Sequence, residues 1–232
     1  MVNGRLQHVR SWLWPGHCLL CRAQIDAGEE LCHGCRAELP WIEAACPRCA
    51  AALPPDSASA PCGSCQRKPP VFDRTYAALH YAPPLDQLIL GLKYHRRLDL
   101  ARTLGRLLAQ RLPSFAGRPD VLIPVPLHTS RLRQRGYNQS LELARVIAKQ
   151  LGLPVAGNAA RRLRETPAQT GLPLEKRAGN VRNAFAVDAD LAGQHIAIVD
   201  DVMTSGHTVN AFARVLRRAG AAEISVWVVA RA

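Results

Sequence analysis

The sequence predicts an α/β domain with a mostly parallel sheet and flanking helices, preceded by a small zinc-ribbon domain. Two observations support this prediction. All eight cysteines lie in the first 70 residues, and the remainder alternates between segments of strand and helix periodicity. The change in composition places the predicted boundary between an N-terminal segment with the zinc ribbons, residues 1–70, and an α/β domain, residues 71–232.

The cysteines form four CxxC pairs, separated by ten, ten and twelve residues. The pairs are Cys18 and Cys21, Cys32 and Cys35, Cys46 and Cys49, and Cys62 and Cys65. Each CxxC turn directs two thiolates at one tetrahedral ion, so the eight ligands predict two structural zinc ions. A segment this short cannot bury enough apolar surface to fold without metal. Four disulfides would instead need an oxidising compartment, and residues 1–17 show no export signal.

The spacing leaves the pairing of the four CxxC turns open. Neighbouring turns, the first with the second and the third with the fourth, would each close a short hairpin ribbon, and we favour this arrangement. An interleaved cross-brace satisfies the same spacing. Residues 50–61, which include three prolines, are expected to form the exposed loop of the second ribbon.

From Val71 onward, hydrophobic periodicity predicts alternating strands and helices. Strands are predicted at residues 75–81, 120–125, 195–200 and 224–230, and helices at residues 85–94, 98–112, 140–151 and 207–219. Gly152 and Gly220 end the last two helices. Residues 153–183 are less regular. In a parallel sheet of this kind, chemistry is expected at the carboxyl ends of the strands.

The junction after the strand at residues 195–200 is the strongest candidate site. Asp200 and Asp201 follow a buried apolar run, and a loop of small residues then leads into a helix. Two adjacent carboxylates suit the vicinal hydroxyls of a ribose. Amides and hydroxyls of the loop can surround a phosphate at the positive helix end; the loop residues are Met203, Thr204, Ser205, Gly206, His207 and Thr208. The junction therefore predicts a ribose 5-phosphate site, the alternative being an ordinary capped helix.

The net charge of +12 is concentrated in the predicted α/β domain, which holds 23 basic and 12 acidic residues. Residues 129–182 alone hold eleven Arg or Lys against three Glu. This density favours phosphates or nucleic acid as partners, although a solvated basic face has the same composition. No stretch approaches the roughly 18 apolar residues of a membrane helix, so we expect a cytoplasmic protein without membrane insertion.

Residues 199–208 resemble the phosphoribosyl pyrophosphate (PRPP) signature of type I phosphoribosyltransferases, in which apolar residues and two acids precede a loop of Thr, Ser and Gly. The run IPVPL at residues 123–127, followed by RxRxRGYNQ at residues 131–139, is similar to the ComF branch of that superfamily, as is the four-CxxC front end. Further positions match that branch: Lys93, Thr166, Gln169, Arg177, Asn180 and Phe185.

The resemblance implies a type I phosphoribosyltransferase-like fold and a role for each matching position. Asp200 and Asp201 would hold the ribose 2- and 3-hydroxyls, and residues 204–208 the 5-phosphate. Magnesium would bridge diphosphate and ribose oxygens, and residues 161–185 would form a loop that closes over the site. The pyrophosphate loop and the arginines after it would face the diphosphate; they are Val125, Pro126, Leu127, His128, Arg131, Arg133 and Arg135. No catalytic residue is assigned.

Two functions are compatible with this resemblance. The ComF branch is associated with natural competence, which implies PRPP binding together with contact to single-stranded DNA and to proteins of the competence machinery. The basic run would bind phosphates, and Tyr137 would stack bases. The alternative is a metabolic phosphoribosyltransferase that transfers ribose 5-phosphate to a small acceptor. Some proteins of this fold bind the ligand without transferring it, so the fold does not decide whether the chain is an enzyme.

Overall fold

The computed structural model describes residues 16–26, 28–57, 60–112, 117–165 and 183–232. Within them, a small cysteine-rich module precedes a four-stranded sheet with helices packed against it. The predictions for residues 1–15 and for Thr166, Gln169, Arg177 and Asn180 lie outside the described residues. Among the described residues, no helix combines the length and the apolar character needed to cross a bilayer.

The cysteine-rich module consists of two short strands and two single-turn helices. They are β1 (Gly16–His17), β2 (Gln24–Ile25), α1 (His33–Ala37) and α2 (Gly63–Arg67), with a 3-10 turn at Pro55–Ser57. β1 and β2 pair as an antiparallel hairpin. Cys18, Leu31 and Leu39 are buried in one cluster with side chains of the α/β domain. The module therefore shares part of the larger core.

The α/β domain follows the predicted order of elements. Its strands are β3 (Arg74–His80), β4 (Val121–Pro124), β5 (Ala160–Arg162), β6 (Phe185–Val187), β7 (His195–Met203) and β8 (Glu223–Arg231). Its helices are α3 (Leu85–Tyr94), α4 (Asp99–Arg111), α5 (Thr129–Arg135), α6 (Gln139–Leu151) and α7 (His207–Arg218). The main sheet has the order β3-β8-β7-β4 with every pair parallel, and β5 and β6 form a separate antiparallel pair. The predicted parallel sheet is confirmed.

Both faces of the sheet are covered, as its apolar strands require. One core cluster joins α3, α4 and α6 to the sheet and includes Leu104, Leu143 and Val199. A second cluster packs α7 on the sheet and includes Ile198 and Phe212. Ile198 and Val199 belong to different clusters because neighbouring strand residues project to opposite faces.

Three features differ from the sequence prediction. β7 continues to Met203, beyond its predicted end at Asp200, because its last residues pair with Ala230 and Arg231 of a β8 that is also longer than predicted. The short helix α5 occupies a segment predicted only as a basic run, and β5 and β6 lie in or next to the less regular segment. Asp200 and Asp201 therefore lie within a strand, and the loop begins after Met203.

The third CxxC turn is fastened to the main sheet through its backbone. Three consecutive carbonyls accept hydrogen bonds: Pro47 O from Thr75 N (3.2 Å), Arg48 O from Thr75 Oγ1 (2.7 Å) and Cys49 O from Arg231 Nε (3.0 Å). Arg231 also donates from Nη1 to Met203 O at 3.0 Å. A turn with two cysteine ligands is thus connected, through one arginine, to the strand end where the small-residue loop begins.

Candidate functional site

The structure gathers the cysteines into two groups of four, each from two neighbouring CxxC turns. The groups are Cys18, Cys21, Cys32 and Cys35, and Cys46, Cys49, Cys62 and Cys65; within each, the sulfur atoms lie within 4.8 Å of one another. All eight are free thiols. The favoured pairing of neighbouring turns is the one that the structure adopts.

The sulfur spacing fits tetrahedral zinc. Cys21 Sγ lies 3.7 Å from Cys32 Sγ, and Cys49 Sγ lies 3.7 Å from Cys62 Sγ. These separations match the edge of about 3.8 Å expected for a ZnS4 tetrahedron with bonds of about 2.3 Å. The Cys62 N–H also donates to Cys46 Sγ at 3.2 Å, the kind of contact that orients a metal-bound thiolate. Both groups therefore fit structural zinc.

The thiols of the first group differ in acidity. Burial acts to raise the pKa of Cys18, but backbone hydrogen bonds from Cys21 and Cys32 outweigh it and lower that pKa to about 6. Side-chain hydrogen bonds with Cys21 and Cys32 raise the pKa of Cys35 to about 12. In the metal-free group, Cys18 therefore loses its proton more easily than Cys35 does, and metal binding must displace the proton that Cys35 retains.

We expect two zinc ions per chain, one for each cysteine group, in protein purified without chelators. Cys62→Ser should halve the zinc content and lower the unfolding temperature of the whole chain, because the second group is bonded to the main sheet. Elemental analysis and thermal denaturation measure the two effects. Ser64→Ala changes the same helical turn without removing a ligand and should leave both unchanged. Wild-type protein with well under two zinc ions would contradict the assignment.

The two acidic residues of β7 are buried and contact different helices. Asp200 and Asp201 are only 9% and 3% exposed. Asp200 Oδ1 accepts a hydrogen bond from Ser140 Oγ on α6 at 2.8 Å. Asp201 Oδ2 lies 2.9 Å from Lys93 Nζ, one residue before the end of α3. Each carboxylate therefore has its own protein partner, on a different helix.

Burial dominates the electrostatics of this acid pair. It raises the pKa of Asp200 to about 7, with help from the charge of Asp201, although the Ser140 hydrogen bond and the charge of Lys93 act to lower it. Burial also acts to lower the pKa of Lys93, but the charge of Asp201 and its hydrogen bond raise it above its ordinary value. The site thus combines an ion pair with a carboxyl group that titrates near neutral pH.

Arg162 joins this site, although the resemblance placed it only in the segment predicted to close over the site, residues 161–185. Its guanidinium lies over the Phe185 ring, 5.4 Å from the centroid. Burial, followed by the charge of Arg131, lowers the pKa of Arg162, whereas the charge of Asp200 raises it. The side chain is therefore within electrostatic reach of both the acid pair and α5. Its short strand β5 lies in the less regular segment, so periodicity could not have identified it.

The loop after β7 turns sharply into α7. Gly206 has a φ of +74°, a left-handed conformation that favours glycine. Thr204 is exposed, and Ser205 Oγ lies 2.8 Å from His207 Nδ1. Met203 is only 2% exposed and packs in the second core cluster, so it anchors the start of the loop to the core. The helix starts without a side-chain cap, and its first amides face the loop.

The predicted pyrophosphate loop, residues 125–128, follows β4 at the same edge of the sheet. Asn138 Nδ2 donates to Val125 O at 3.1 Å and ties the loop to the start of α6. His128 is the N-cap of α5, and its ring accepts a hydrogen bond from Ser130 N at 3.3 Å. His128 therefore has a structural role at the helix start.

The three arginines of α5 do not share one environment. Arg131 and Arg135, four residues apart and so on one helix face, line a cavity of about 490 Å³ together with Lys93. Arg133 does not line this cavity. Lys93 links this cavity to the acid pair, because it lines the cavity and also contacts Asp201.

The aromatic side chains near this cavity differ from the prediction. The Tyr137 hydroxyl donates to the Leu92 carbonyl, and its side chain packs against the first core cluster. Tyr94, at the end of α3, is 60% exposed, with the Arg135 guanidinium 5.6 Å from its ring centroid. The structure thus places Tyr94, and not Tyr137, where an aromatic ring is open to a ligand.

The raised pKa of Asp200 predicts a pH-dependent stability. Folded protein keeps this proton up to a pH of about 7, whereas the unfolded chain loses it near pKa about 3.9, so this group makes the free energy of unfolding fall as pH rises between these values. Asp200→Asn removes that dependence. Relative to wild type, the variant should gain about 2 kcal/mol between about pH 5 and pH 8.

Urea denaturation at both pH values measures the free energy of unfolding of the variant relative to wild type. The pH dependence of zinc binding cancels in this comparison, because it is common to both proteins. Ser140→Ala provides the second test: it removes a hydrogen bond that favours the charged form, so the pH-dependent region should move upward. If the free energies of unfolding of wild type and Asp200→Asn change with pH in parallel, the pKa of Asp200 is not raised.

The arrangement of zinc ribbons and α/β domain matches known families. The double zinc ribbon domain family matches residues 9–66, and the phosphoribosyl transferase domain family matches residues 93–232. The second match spans more than half of the chain and includes the acid pair, the small-residue loop and α5.

Individual relatives match about three quarters of the chain. The DNA utilization protein YhgH of Salmonella typhimurium is 39% identical over 178 residues, which covers 75% of this chain and 78% of that protein. Its counterpart in Escherichia coli K12 is 39% identical over 176 residues, covering 74% and 78%. Competence protein F of Haemophilus influenzae is 36% identical over 180 residues, again covering 74% and 78%.

Proposed function

The chain belongs to the ComF family, in which a double zinc ribbon precedes a phosphoribosyltransferase domain, and from this we propose that it is a cytoplasmic protein that binds PRPP and single-stranded DNA. The observation that carries the proposal is the buried acid pair. It is followed by a short loop that ends at Gly206, in a left-handed conformation, where α7 begins. The names of the relatives, DNA utilization protein and competence protein, favour DNA handling in uptake and transformation, with proteins of the competence machinery as partners.

In the proposed complex, the ribose 5-phosphate lies across the end of β7. Amides and hydroxyls of residues 204–208 hold the 5-phosphate, where the positive end of α7 favours an anion. Asp200 and Asp201 accept hydrogen bonds from the ribose hydroxyls. Since the carboxylates already contact Ser140 and Lys93, ligand hydroxyls must replace part of these contacts.

The diphosphate then faces the basic side of the site. Residues 125–128 present their backbone at the same sheet edge, and Arg131 and Arg135 supply positive charge from one face of α5. Lys93, which lines the same cavity, is a further cation once it is released from Asp201. Arg162 lies within electrostatic reach of the same region. Arg133, which does not line the cavity, has at most a long-range effect.

The residues present fit a magnesium ion carried with the ligand. Asp201 Oδ2 is buried without a well-aligned hydrogen bond, and hard carboxylate and phosphate oxygens are the ligands that magnesium prefers. When bound, magnesium would neutralise charge on the diphosphate, and Asp201 would be the residue of this chain that holds it. The chain's own contribution is to orient the ribose through the acid pair and to exclude water by burial.

Transfer to a small acceptor is the alternative function for the same site. In that reaction diphosphate leaves the anomeric carbon and positive charge develops on the ribose ring, so positioning and nearby carboxylates would suffice. Release of diphosphate in the presence of candidate acceptors distinguishes transfer from binding alone.

PRPP binding is tested by titration calorimetry with magnesium on the holoprotein. We expect saturable binding by wild type and none by Asp200→Asn/Asp201→Asn, because the amides cannot match the charge and acceptor capacity of two carboxylates. Asp190→Asn, which changes an exposed carboxylate outside the site, should bind like wild type. Wild type that fails to bind PRPP would refute the ribose-phosphate site.

DNA contact by α5 is tested with a single-stranded oligonucleotide at several salt concentrations. Arg131→Gln and Arg135→Gln should each weaken binding and reduce the salt slope by about 0.7, because each removes one phosphate contact. Arg133→Gln removes the same charge from the same helix but from outside the cavity, and should have a smaller effect. Equal effects of all three substitutions would indicate a diffuse basic surface, and no effect of any would exclude α5 from the interface.

A further inference from the structure

The cavity between the end of α3 and α5 combines positive charge with one open aromatic ring. Four of its lining residues are cations, namely Lys93, Arg96, Arg131 and Arg135, and its volume is about 490 Å³. This volume is within the range of small-ligand sites. The excess of cations makes the cavity suitable for an anion, and Tyr94 adds an aromatic surface at its edge.

Tyr94 is unusual among the aromatic residues of the part of the chain that the structure describes. It is the only aromatic among the large exposed hydrophobic side chains there, and it is 60% exposed. The Arg135 guanidinium lies over the ring at 5.6 Å from the centroid. An exposed ring backed by a guanidinium can stack a second flat group on its accessible surface.

The turn after Tyr94 holds a further cation in a strained conformation. Arg96 has a φ of +54°, a left-handed conformation that is unfavourable for a non-glycine residue. Hydrogen bonds from the amides of His95 and Arg97 to Gly91 O fix the turn on both sides. Backbone strain of this kind persists where the surroundings determine it and is concentrated at binding sites. The turn therefore keeps Arg96 next to Tyr94 before any ligand binds.

We propose that Tyr94, backed by Arg135 and flanked by Arg96, is a stacking subsite for one base of a single-stranded DNA. A stacked base with cations for its phosphates is the usual chemistry of sequence-tolerant single-strand binding. A duplex would not fit this chemistry, since its base faces are already stacked. Lys93 lines the same cavity and also contacts Asp201. The inference rests on the proposed contact with single-stranded DNA.

The test compares two strands of equal length, an oligo(dT) of about 16 nucleotides and an abasic strand with the same backbone. In fluorescence anisotropy with the zinc-loaded full chain, Tyr94→Ala should weaken oligo(dT) binding by about 5- to 150-fold, the range for one stacked base. The salt slope should not change, because no phosphate contact is lost. Tyr94→Phe keeps the ring and should bind oligo(dT) like wild type.

The abasic strand separates stacking from general damage. It should bind Tyr94→Ala as well as it binds wild type, because it has no base to stack. Leu98→Ala, which removes another exposed apolar side chain near the turn, should not affect either strand. Thermal unfolding of each variant confirms that it is folded.

Three outcomes would overturn the subsite. If wild type binds oligo(dT) and Tyr94→Ala binds it equally well, the subsite is wrong while the proposed DNA contact stands. If Tyr94→Ala loses the same affinity for both strands, Tyr94 has a structural role and does not stack a base. If wild type binds neither strand, both the subsite and the proposed DNA contact are wrong, and PRPP binding is unaffected by that result.

Discussion

Two adjacent carboxylates buried in the central sheet are the constraint on which the arrangement of this domain depends. An unpaired buried charge costs several kcal/mol, so each carboxylate needs compensation. Lys93 of α3 compensates Asp201, and Ser140 of α6 together with a raised pKa compensates Asp200. Both helices pack in the same core cluster. Packing therefore holds the helix ends that carry Lys93 and Ser140 next to the acid pair.

These internal contacts also define what a ligand must do. In the proposed complex, ribose hydroxyls would replace part of the contacts that the acid pair makes with Lys93 and Ser140. Lys93 takes part in both the acid-pair site and the cavity, since it pairs with Asp201 and lines the cavity beside Tyr94. A ligand that moves Lys93 thus changes the electrostatics of both places, and any coupling between two bound ligands must be reciprocal in free energy.

The cysteine-rich module is attached to the domain at the strands that carry the site. The backbone of its third CxxC turn is bonded to β3 and β8, and Arg231 connects Cys49 O with Met203 O at the start of the loop. In the first ribbon, Glu30 pairs with Arg102 and Arg106 of α4 at 2.6 Å and 2.9 Å. These contacts hold the module against the α/β domain, and Arg231 connects the second cysteine group to the start of the loop.

The sequence by itself determined the features that depend on local spacing. CxxC pairs identified the two cysteine groups that fit zinc, and periodicity located seven of the eight predicted helices and strands to within a residue at each end. The acid pair followed by a small-residue loop marked the candidate site. Tertiary structure decided which groups meet there. Ser140 and Asp200 are separated by 60 positions in the chain, β7 was lengthened by its pairing with β8, and helix packing left Tyr94 exposed while it covered Tyr137. No local pattern records such contacts, because they depend on how distant elements pack.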